Sequence, residues 1–241
     1  MDLKKYCEGA KGILFDFVGT IGTDGVHLSR VIWEGWQKAG VETTLPYFRE
    51  TYEYAVDELE RTRGILPQKD FSDSLRLRVN FQLQRMAHKN LLPADIVDQA
   101  TDKVTTYCKD VIAENVKKAV PILESLSSRY SLALVGDLYG NLEATARQYG
   151  IEKYFKKILD TAEIADSKEE SSKFNKIAEN LGHSPKESIV VGDSYKDDIL
   201  PALDGGFRAI WLKGEEWDGK EASVSYEPSI DKLAELAEIT V

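Results

Sequence analysis

The sequence predicts an α/β protein in which a doubly wound parallel sheet is interrupted, after its first strand, by a helical insertion. Three observations support this fold class. Short apolar runs recur between turn residues, helical segments separate the later runs, and a long stretch of helical periodicity lies between the first run and the second. Strands that alternate with helices are typical of parallel sheets that carry helices on their faces.

Five short runs have the composition of buried parallel strands, with mainly Val, Ile, Leu and Phe. They span residues 13–15, 131–135, 157–159, 188–191 and 207–212. Helical patterns follow two of them, at residues 142–149 and 174–181, and a glycine comes directly after each pattern, as at many helix ends. These elements predict a Rossmann-like core domain over residues 1–22 and 118–241.

The gap between the first and second predicted strands is too long for a simple connection. It holds about 115 residues, whereas a strand–helix–strand unit needs only about 30. Apolar residues in the gap follow a helical period; Leu28, Ile32 and Trp36 recur at four-residue spacing, and three similar stripes come after them. We therefore predict an all-helical cap domain over residues 23–117, joined to the core by two short crossings.

The composition limits the classes of partner. The chain has 41 acidic and 31 basic residues and a formal net charge of -10, so we expect neither nucleic acid nor an anionic membrane as a partner. A local pocket can still be electropositive, and the net charge does not exclude a small phosphorylated metabolite. The N-terminus lacks the apolar run of a signal peptide, and no window is long and apolar enough to span a bilayer. We expect a soluble, cytoplasmic protein; the sequence does not indicate its oligomeric state.

Carboxylates follow four of the predicted strands. Asp16, Asp137, Asp160 and Asp193 each lie just beyond an apolar run. Ligands of open α/β sheets bind beyond the carboxyl ends of the strands, so these side chains are candidates for a site. A single aspartate at such a place is more often a helix cap or an acceptor for loop amides. Several that converge repel one another unless a cation joins them, and an all-oxygen site suits Mg²⁺.

Two strand ends have a more specific sequence. Residues 13–20 read ILFDFVGT, and residues 189–194 read IVVGDS with Asp198 close behind. Between them, Lys168 lies six residues before Phe174, which begins a helical pattern. In this order, and with the long insertion, these landmarks resemble the haloacid dehalogenase superfamily, and more narrowly its branch with a helical cap inserted after the first strand. The resemblance covers nearly the whole chain.

The resemblance implies a role for each matched residue. Asp16 would be the nucleophile that accepts a phosphoryl group, and Lys168 would stabilise the charge of that group. Mg²⁺ would be held by Asp16, Asp193 and the backbone carbonyl of Val18. Asp198 would belong to the metal site as well, behind these three ligands. By spacing alone Lys168 is a solvated lysine in a hydrophilic run, so its role depends on the resemblance.

Two positions depart from the family pattern. Phosphatases of the family carry a second Asp two residues after the nucleophile, which protonates the leaving group and then activates water, whereas this chain has Val18. The second motif normally gives a Ser or Thr hydroxyl to the phosphoryl group, whereas this chain has Gly136 followed by Asp137. The resemblance places Gly136, Asp137 and Lys168 around the phosphate. The Gly136 amide can bind it, but the Asp137 carboxylate adds negative charge unless the metal or Lys168 compensates.

Several alternatives stay open. Haloacid dehalogenases carry an aromatic residue in place of Val18 and work without a metal, and phosphonoacetaldehyde hydrolases carry a small residue but need a Schiff-base lysine in the cap, which this sequence does not reveal. Asp24 could act as a displaced acid. The leading hypothesis is a Mg²⁺-dependent hydrolase of a small phosphorylated metabolite, with impaired or altered acid–base chemistry, that forms an aspartyl-phosphate on Asp16. Its competitor is an inactive family member that binds a phosphorylated ligand or a protein partner.

Overall fold

The computed structural model describes residues 2–62, 70–164, 172–214 and 223–240. Six strands form its sheet: β1 (Gly12–Phe15), β2 (Ser131–Gly136), β3 (Lys157–Asp160), β4 (Ser188–Gly192), β5 (Arg208–Leu212) and β6 (Ser229–Ile230). All pair in parallel, in the order β3-β2-β1-β4-β5-β6. The predicted α/β fold is confirmed, and β6 is the strand that the sequence pattern did not predict.

The central strands are buried on both faces of the sheet. Every residue of β1, β2 and β4 is buried, as expected for parallel strands covered by helices. Successive side chains of β1 point to opposite faces. Ile13 and Phe15 belong to the larger hydrophobic core, whereas Leu14 belongs to a second core with Phe174 and Trp211. The sheet therefore lies between two apolar layers.

Helices occupy the connections that the pattern predicted. A short helix α1 (Leu3–Tyr6) precedes β1, and four helices lie between β1 and β2: α2 (Leu28–Ala39), α3 (Leu45–Thr62), α4 (Phe71–His88) and α5 (Val97–Ser127). We call α2–α5 the helical insertion. Later helices are α6 (Leu142–Gln148), α7 (Ser172–Leu181) and α8 (Leu200–Asp204). None of the helices in the described part of the chain is both long and apolar enough to cross a bilayer.

The last helix of the insertion is longer than its apolar stripe indicated. α5 runs for 31 residues, so the predicted border between residues 117 and 118 lies within one continuous helix. Pro121 lies inside it, where it lacks the amide proton that would bond the carbonyl four residues earlier. The first half of α5 packs on α2 and α4, and near its end Leu123 and Leu126 join the core that contains β2. The helix thus belongs to both the insertion and the core.

Candidate active site

The site begins where β1 and β4 end side by side. Phe15 is paired with Val191, and the amide of Asp16 donates to the Val191 carbonyl at 3.0 Å. The chain places β2 and β3 on one side of β1 and β4 to β6 on the other, so the strand order reverses between β1 and β4. Such a switch point opens a crevice beyond the strand ends. Asp16 and Asp193, which follow β1 and β4, both lie at this crevice.

A single turn of π-helix follows each of these two strands. One spans Phe17–Ile21 and the other spans Tyr195–Ile199. Such wide turns are rare and occur frequently at functional sites. The second turn brings Asp198 back toward the strand end, where its Oδ2 accepts a hydrogen bond from the Ser194 amide at 3.3 Å. The turns thus bring residues distant in sequence to one edge of the sheet.

Asp16, Asp193 and Asp198 converge at this edge. One carboxylate oxygen from each residue lies within 4.8 Å of those of the other two. Asp198 is buried, while Asp16 and Asp193 are half-buried and face the crevice. Three carboxylates at this spacing repel one another, and an all-oxygen donor set is the kind that Mg²⁺ prefers. The cluster fits the metal that the resemblance implies.

Two glycines allow the carboxylates to come this close. A Cβ atom at Gly19 would overlap the carboxylate of Asp193, and one at Gly192 would lie 2.5 Å from the Cβ of Asp198. Real Cβ atoms essentially never approach that closely, so any side chain at either position would push a carboxylate away. Glycine at these positions is therefore a requirement of the acidic cluster itself.

The folded protein disfavours the ionised forms of Asp16 and Asp198. Burial raises the pKa of the Asp16 carboxyl, although the Phe17 amide, the Lys173 charge and the Thr20 hydroxyl act in the opposite direction. Burial and the neighbouring Asp16 charge raise the pKa of Asp198 to about 7. A divalent cation among these oxygens would favour the ionised forms and lower both pKa values.

A lysine that sequence reasoning did not single out contacts the cluster. Lys173 lies in the first turn of α7, with Nζ 3.6 Å from Asp198 Oδ1, and it donates to the Asp197 carbonyl at 2.7 Å. Its charge lowers the pKa of both Asp16 and Asp198. Lys168, the lysine assigned by the resemblance, lies outside the described residues. The only signal for Lys173 in the sequence is its place at the start of a helix that follows a strand-end loop.

Val18 enters the predicted site in two ways, through its backbone carbonyl as a metal ligand and through its side chain, which stands where the family has an acid. Its carbonyl, assigned as a metal ligand, accepts a hydrogen bond from the Thr23 hydroxyl at 2.7 Å. A carbonyl oxygen has two lone pairs, so one remains for a metal ion. The side chain is half-buried beside the cluster and cannot transfer a proton.

Asp24 is engaged elsewhere. Its Oδ1 accepts a hydrogen bond from the Leu233 amide at 2.8 Å, and its Oδ2 lies 3.8 Å from Lys232 Nζ. These contacts tie the Asp24 carboxylate to the C-terminal segment. They give no support to the alternative in which Asp24 replaces the missing acid.

Gly136, which stands where the family has a Ser or Thr, lies next to Asp16. A Cβ atom at Gly136 would lie 3.4 Å from Asp16 Oδ1 and 3.8 Å from the methyl groups of Leu142. A hydroxyl side chain at this position would therefore point at Asp16, as the family pattern requires. Asp137, the next residue, is exposed, and its Oδ1 accepts a hydrogen bond from the Tyr139 amide at 3.3 Å.

Asp160 differs from the other strand-end carboxylates. It is 2% exposed, and its oxygens accept hydrogen bonds from the amides of Leu138, Leu142 and Ala162 at 3.3, 3.1 and 3.0 Å. These bonds fix the loop that carries Asp137. Asp160 therefore has the ordinary structural role of a strand-end aspartate and lies outside the acidic cluster.

Comparison with known proteins gives one family over most of the chain. A model of the haloacid dehalogenase-like hydrolases matches residues 10–206. A segment of 94 residues is 29% identical to the glyceraldehyde 3-phosphate phosphatase of Methanothermobacter thermautotrophicus. That alignment covers 37% of this chain and 42% of the phosphatase, so it spans less than half of that relative's length.

Solved structures of the same family share the fold over nearly the whole chain. The HAD-hydrolase YfnB from Bacillus subtilis, bound to magnesium, has a TM-score of 0.58 at 18% identity and covers 96% of this chain and 98% of its own. A predicted phosphoglycolate phosphatase from Haemophilus somnus 129pt has a TM-score of 0.56 at 19% identity, with coverages of 97% and 99%. The 2-haloacid dehalogenase of Pseudomonas syringae pv. Tomato DC3000 has a TM-score of 0.52 at 20% identity, with coverages of 95% and 97%. At these identities the likeness shows the fold alone.

Proposed function

Because this chain belongs to the haloacid dehalogenase-like hydrolases, we propose that it is a Mg²⁺-dependent phosphohydrolase of a small phosphorylated metabolite, with the helical insertion as its cap. The convergence of Asp16, Asp193 and Asp198 on one crevice carries the proposal, because it supplies both a nucleophile and an all-oxygen metal site. The relative named as a phosphatase and the magnesium-bound structure of the same fold support this chemistry.

Asp16 is the nucleophile of the proposed reaction. Its carboxylate attacks phosphorus, the bond from phosphorus to the leaving oxygen breaks, and an aspartyl-phosphate forms. Water then attacks phosphorus, which releases inorganic phosphate and returns the Asp16 carboxylate. Mg²⁺ held by Asp16, Asp193 and the Val18 carbonyl, with Asp198 behind them, would neutralise charge on the nucleophile and on the phosphoryl oxygens. Lys173 adds positive charge to the same pocket.

The other residues assigned to the phosphate stay part of the proposal. The Cβ position of Gly136 lies 3.4 Å from Asp16 Oδ1, and the Gly136 amide is a candidate donor to the phosphoryl oxygens. Lys168 is assigned by the family pattern alone, and Lys173 can share its role. Asp137 is the residue that opposes phosphate binding, because its exposed carboxylate follows Gly136 directly.

The missing acid determines which esters should react. General acid–base assistance is typically worth about 10² to 10⁴ in rate, and Val18 provides none. Without a proton donor, the leaving oxygen departs as an anion, so turnover should be slow with alkyl esters and faster with an acidic leaving group such as p-nitrophenol. A second candidate function, binding of a phosphorylated ligand without turnover, is favoured by the simultaneous replacements at Val18 and Gly136.

Phosphate release from p-nitrophenyl phosphate and a broad panel of phosphorylated metabolites tests the proposal. We expect release that requires Mg²⁺ and is lost in Asp16→Asn but retained in Asp95→Asn, a matched change at an exposed position of the insertion. Release that survives Asp16→Asn would show that another group is responsible. No Mg²⁺-dependent release from any compound in the panel would leave the binding function as the better account.

A further inference from the structure

An arginine of the helical insertion reaches across to the loop after β2. Arg78 lies on α4, and its Nη1 donates to the Tyr52 hydroxyl of α3 at 2.7 Å. Its Nη2 donates to the hydroxyl of Tyr139, in the loop after β2, at 3.2 Å. The guanidinium carbon also lies 5.1 Å from the centre of the Tyr52 ring. These partners are all neutral, and among the described residues no carboxylate forms an ion pair with Arg78.

Two other arginines of α4 have ordinary surface partners. Arg76 pairs with Asp102 at 2.9 Å, and Arg85 pairs with Glu50 at 3.1 Å. Arg78 is different because its side chain is half-buried and burial opposes its charge, while the hydrogen bonds to the two tyrosine hydroxyls favour the charged form. The side chain is therefore a cation in a partly desolvated place. A desolvated charge is costly unless an opposite charge compensates it, which is what an anionic ligand would provide.

The guanidinium keeps donors for such a ligand. It has five N–H groups in a planar fork, and the two tyrosines accept two of them. A fork of this kind binds a carboxylate or a phosphate through paired hydrogen bonds. Burial raises the pKa of Tyr139, so its hydroxyl keeps its proton beside the guanidinium.

The loop that carries Tyr139 also lines the candidate active site. Tyr139 comes three residues after Gly136, whose Cβ position is 3.4 Å from Asp16 Oδ1, and three residues span at most about 10 Å. Asn141, in the same loop, donates to the Ser74 hydroxyl of α4 at 3.0 Å and so holds this helix against the loop. Through Tyr139, Arg78 therefore contacts the loop that begins at Gly136, from the side of the insertion.

The backbone of Tyr139 is strained. Its φ is 56°, a left-handed conformation in a residue with a large, buried side chain. Such conformations cost about 1–3 kcal/mol and cluster at ligand-binding sites. After burial, Asp137 and Glu60 also help raise the Tyr139 pKa, and the Arg78 charge acts in the opposite direction.

We infer that Arg78, oriented by Tyr52 and Tyr139, binds a second anionic group of the substrate, a carboxylate or a phosphate, while the phosphoryl group docks at Asp16. The inference rests on the proposed function and names its substrate class: phosphate monoesters that carry another negative charge a few atoms from the ester oxygen. Arg78 is a substrate-binding residue here and takes no part in the bond-making steps.

Calorimetric titration in the presence of Mg²⁺ tests the inference with three probes. Glycerol 3-phosphate has one anionic group, 3-phosphoglycerate adds a carboxylate, and 1,3-propanediol bisphosphate adds a second phosphate. We expect at least one doubly anionic probe to bind about 10- to 100-fold more tightly than glycerol 3-phosphate. Arg78→Gln should remove this preference without changing the affinity for glycerol 3-phosphate. The stronger of the two doubly anionic probes identifies the anion.

Arg76→Gln, two residues away on the same helix, is the matched control and should leave all three affinities unchanged. Equal binding of the probes to the wild-type protein would overturn the inference, as would an equal loss for all three in Arg78→Gln. If Arg78→Gln does not fold, Tyr139→Phe replaces it. We then expect a loss of about 3- to 10-fold confined to the doubly anionic probes, and a uniform loss or none would be contrary.

Phosphate release measured in parallel separates this inference from the proposed function. Charge-selective binding that depends on Arg78, with no release from any probe, would support the anion site and refute the hydrolase. Release without any preference for a second charge would support the hydrolase and refute the anion site.

Discussion

Replacing Asp198 by Asn should stabilise the metal-free protein in a pH-dependent way. Burial and the Asp16 charge raise the pKa of Asp198 from 3.8 to about 7. A carboxyl with a raised pKa in the folded protein contributes its stability below the unfolded-state pKa, and that contribution is lost as the pH rises through 7. One pKa unit corresponds to about 1.4 kcal/mol, so ionised Asp198 lowers the free energy of unfolding by roughly 4 kcal/mol at pH 8.

The amide in Asp198→Asn carries no charge at any pH and avoids this penalty. In the presence of a chelator we expect the variant to exceed the wild type at pH 8 by up to about 4 kcal/mol in free energy of unfolding. The lost contact with Lys173 reduces the gain, and the gain should disappear near pH 4. Urea unfolding followed by circular dichroism at several pH values measures it. Asp95→Asn, a matched change at an exposed position far from Asp198 in the sequence, is the control.

Mg²⁺ should stabilise the wild type more than the Asp198→Asn variant. The ion stabilises whichever protein binds it, and the wild type keeps the full acidic cluster. At pH 8 we therefore expect Mg²⁺ to raise the free energy of unfolding more for the wild type than for Asp198→Asn. A metal-free wild type as stable as the variant at pH 8, or a gain that does not change with pH, would refute the reasoning.

Three further predictions concern the same pocket. Val18→Asp with Gly136→Ser should raise the rate of phosphate release by about 10² or more, because both lost groups return; an unchanged rate would show that their absence is not limiting. Gly19→Ala should abolish the stabilisation by Mg²⁺ measured by thermal unfolding, since the new methyl group overlaps Asp193; an unchanged Mg²⁺ response would contradict this geometry. Lys173→Met should slow phosphate release by about 10-fold or more, and it should raise Mg²⁺ affinity or leave it unchanged; weaker Mg²⁺ binding with normal turnover would argue against a role toward the phosphate.

The sheet and the acidic cluster could be predicted because each depends on local sequence. Buried strands are short apolar runs, and the residues that follow adjacent strand ends must meet at one edge of a parallel sheet. This made Asp16 and Asp193 candidates together with Asp137 and Asp160, and the family resemblance selected the first two as metal ligands. The π-helical turn that returns Asp198 to the strand end is not visible as a pattern, and only the family resemblance pointed to that residue.

Other features depend on contacts that no local pattern encodes. The contact of Asp24 with Leu233 joins residues 209 apart in the chain. Lys173 looks like a solvated lysine until α7 is placed against the strand-end turn that holds Asp198. The length of α5 was hidden because Pro121 favours a break, whereas the packing of a buried stripe that continues through Val116 and Leu123 maintains the helix.

The continuous helix α5 makes access to the crevice a property of the whole molecule. At 1.5 Å per residue, its 31 residues form a helix about 46 Å long. One end packs among the helices of the insertion, and the other end packs against the core near β2. Any swing of the insertion away from Asp16 must either shift Leu123 and Leu126 of this helix within the core or bend the helix at Pro121, where the hydrogen-bond ladder is interrupted. A ligand that holds the insertion over the crevice therefore also restricts the movement of α5 within the core. A probe placed near residue 126 would report whether the distant crevice is occupied.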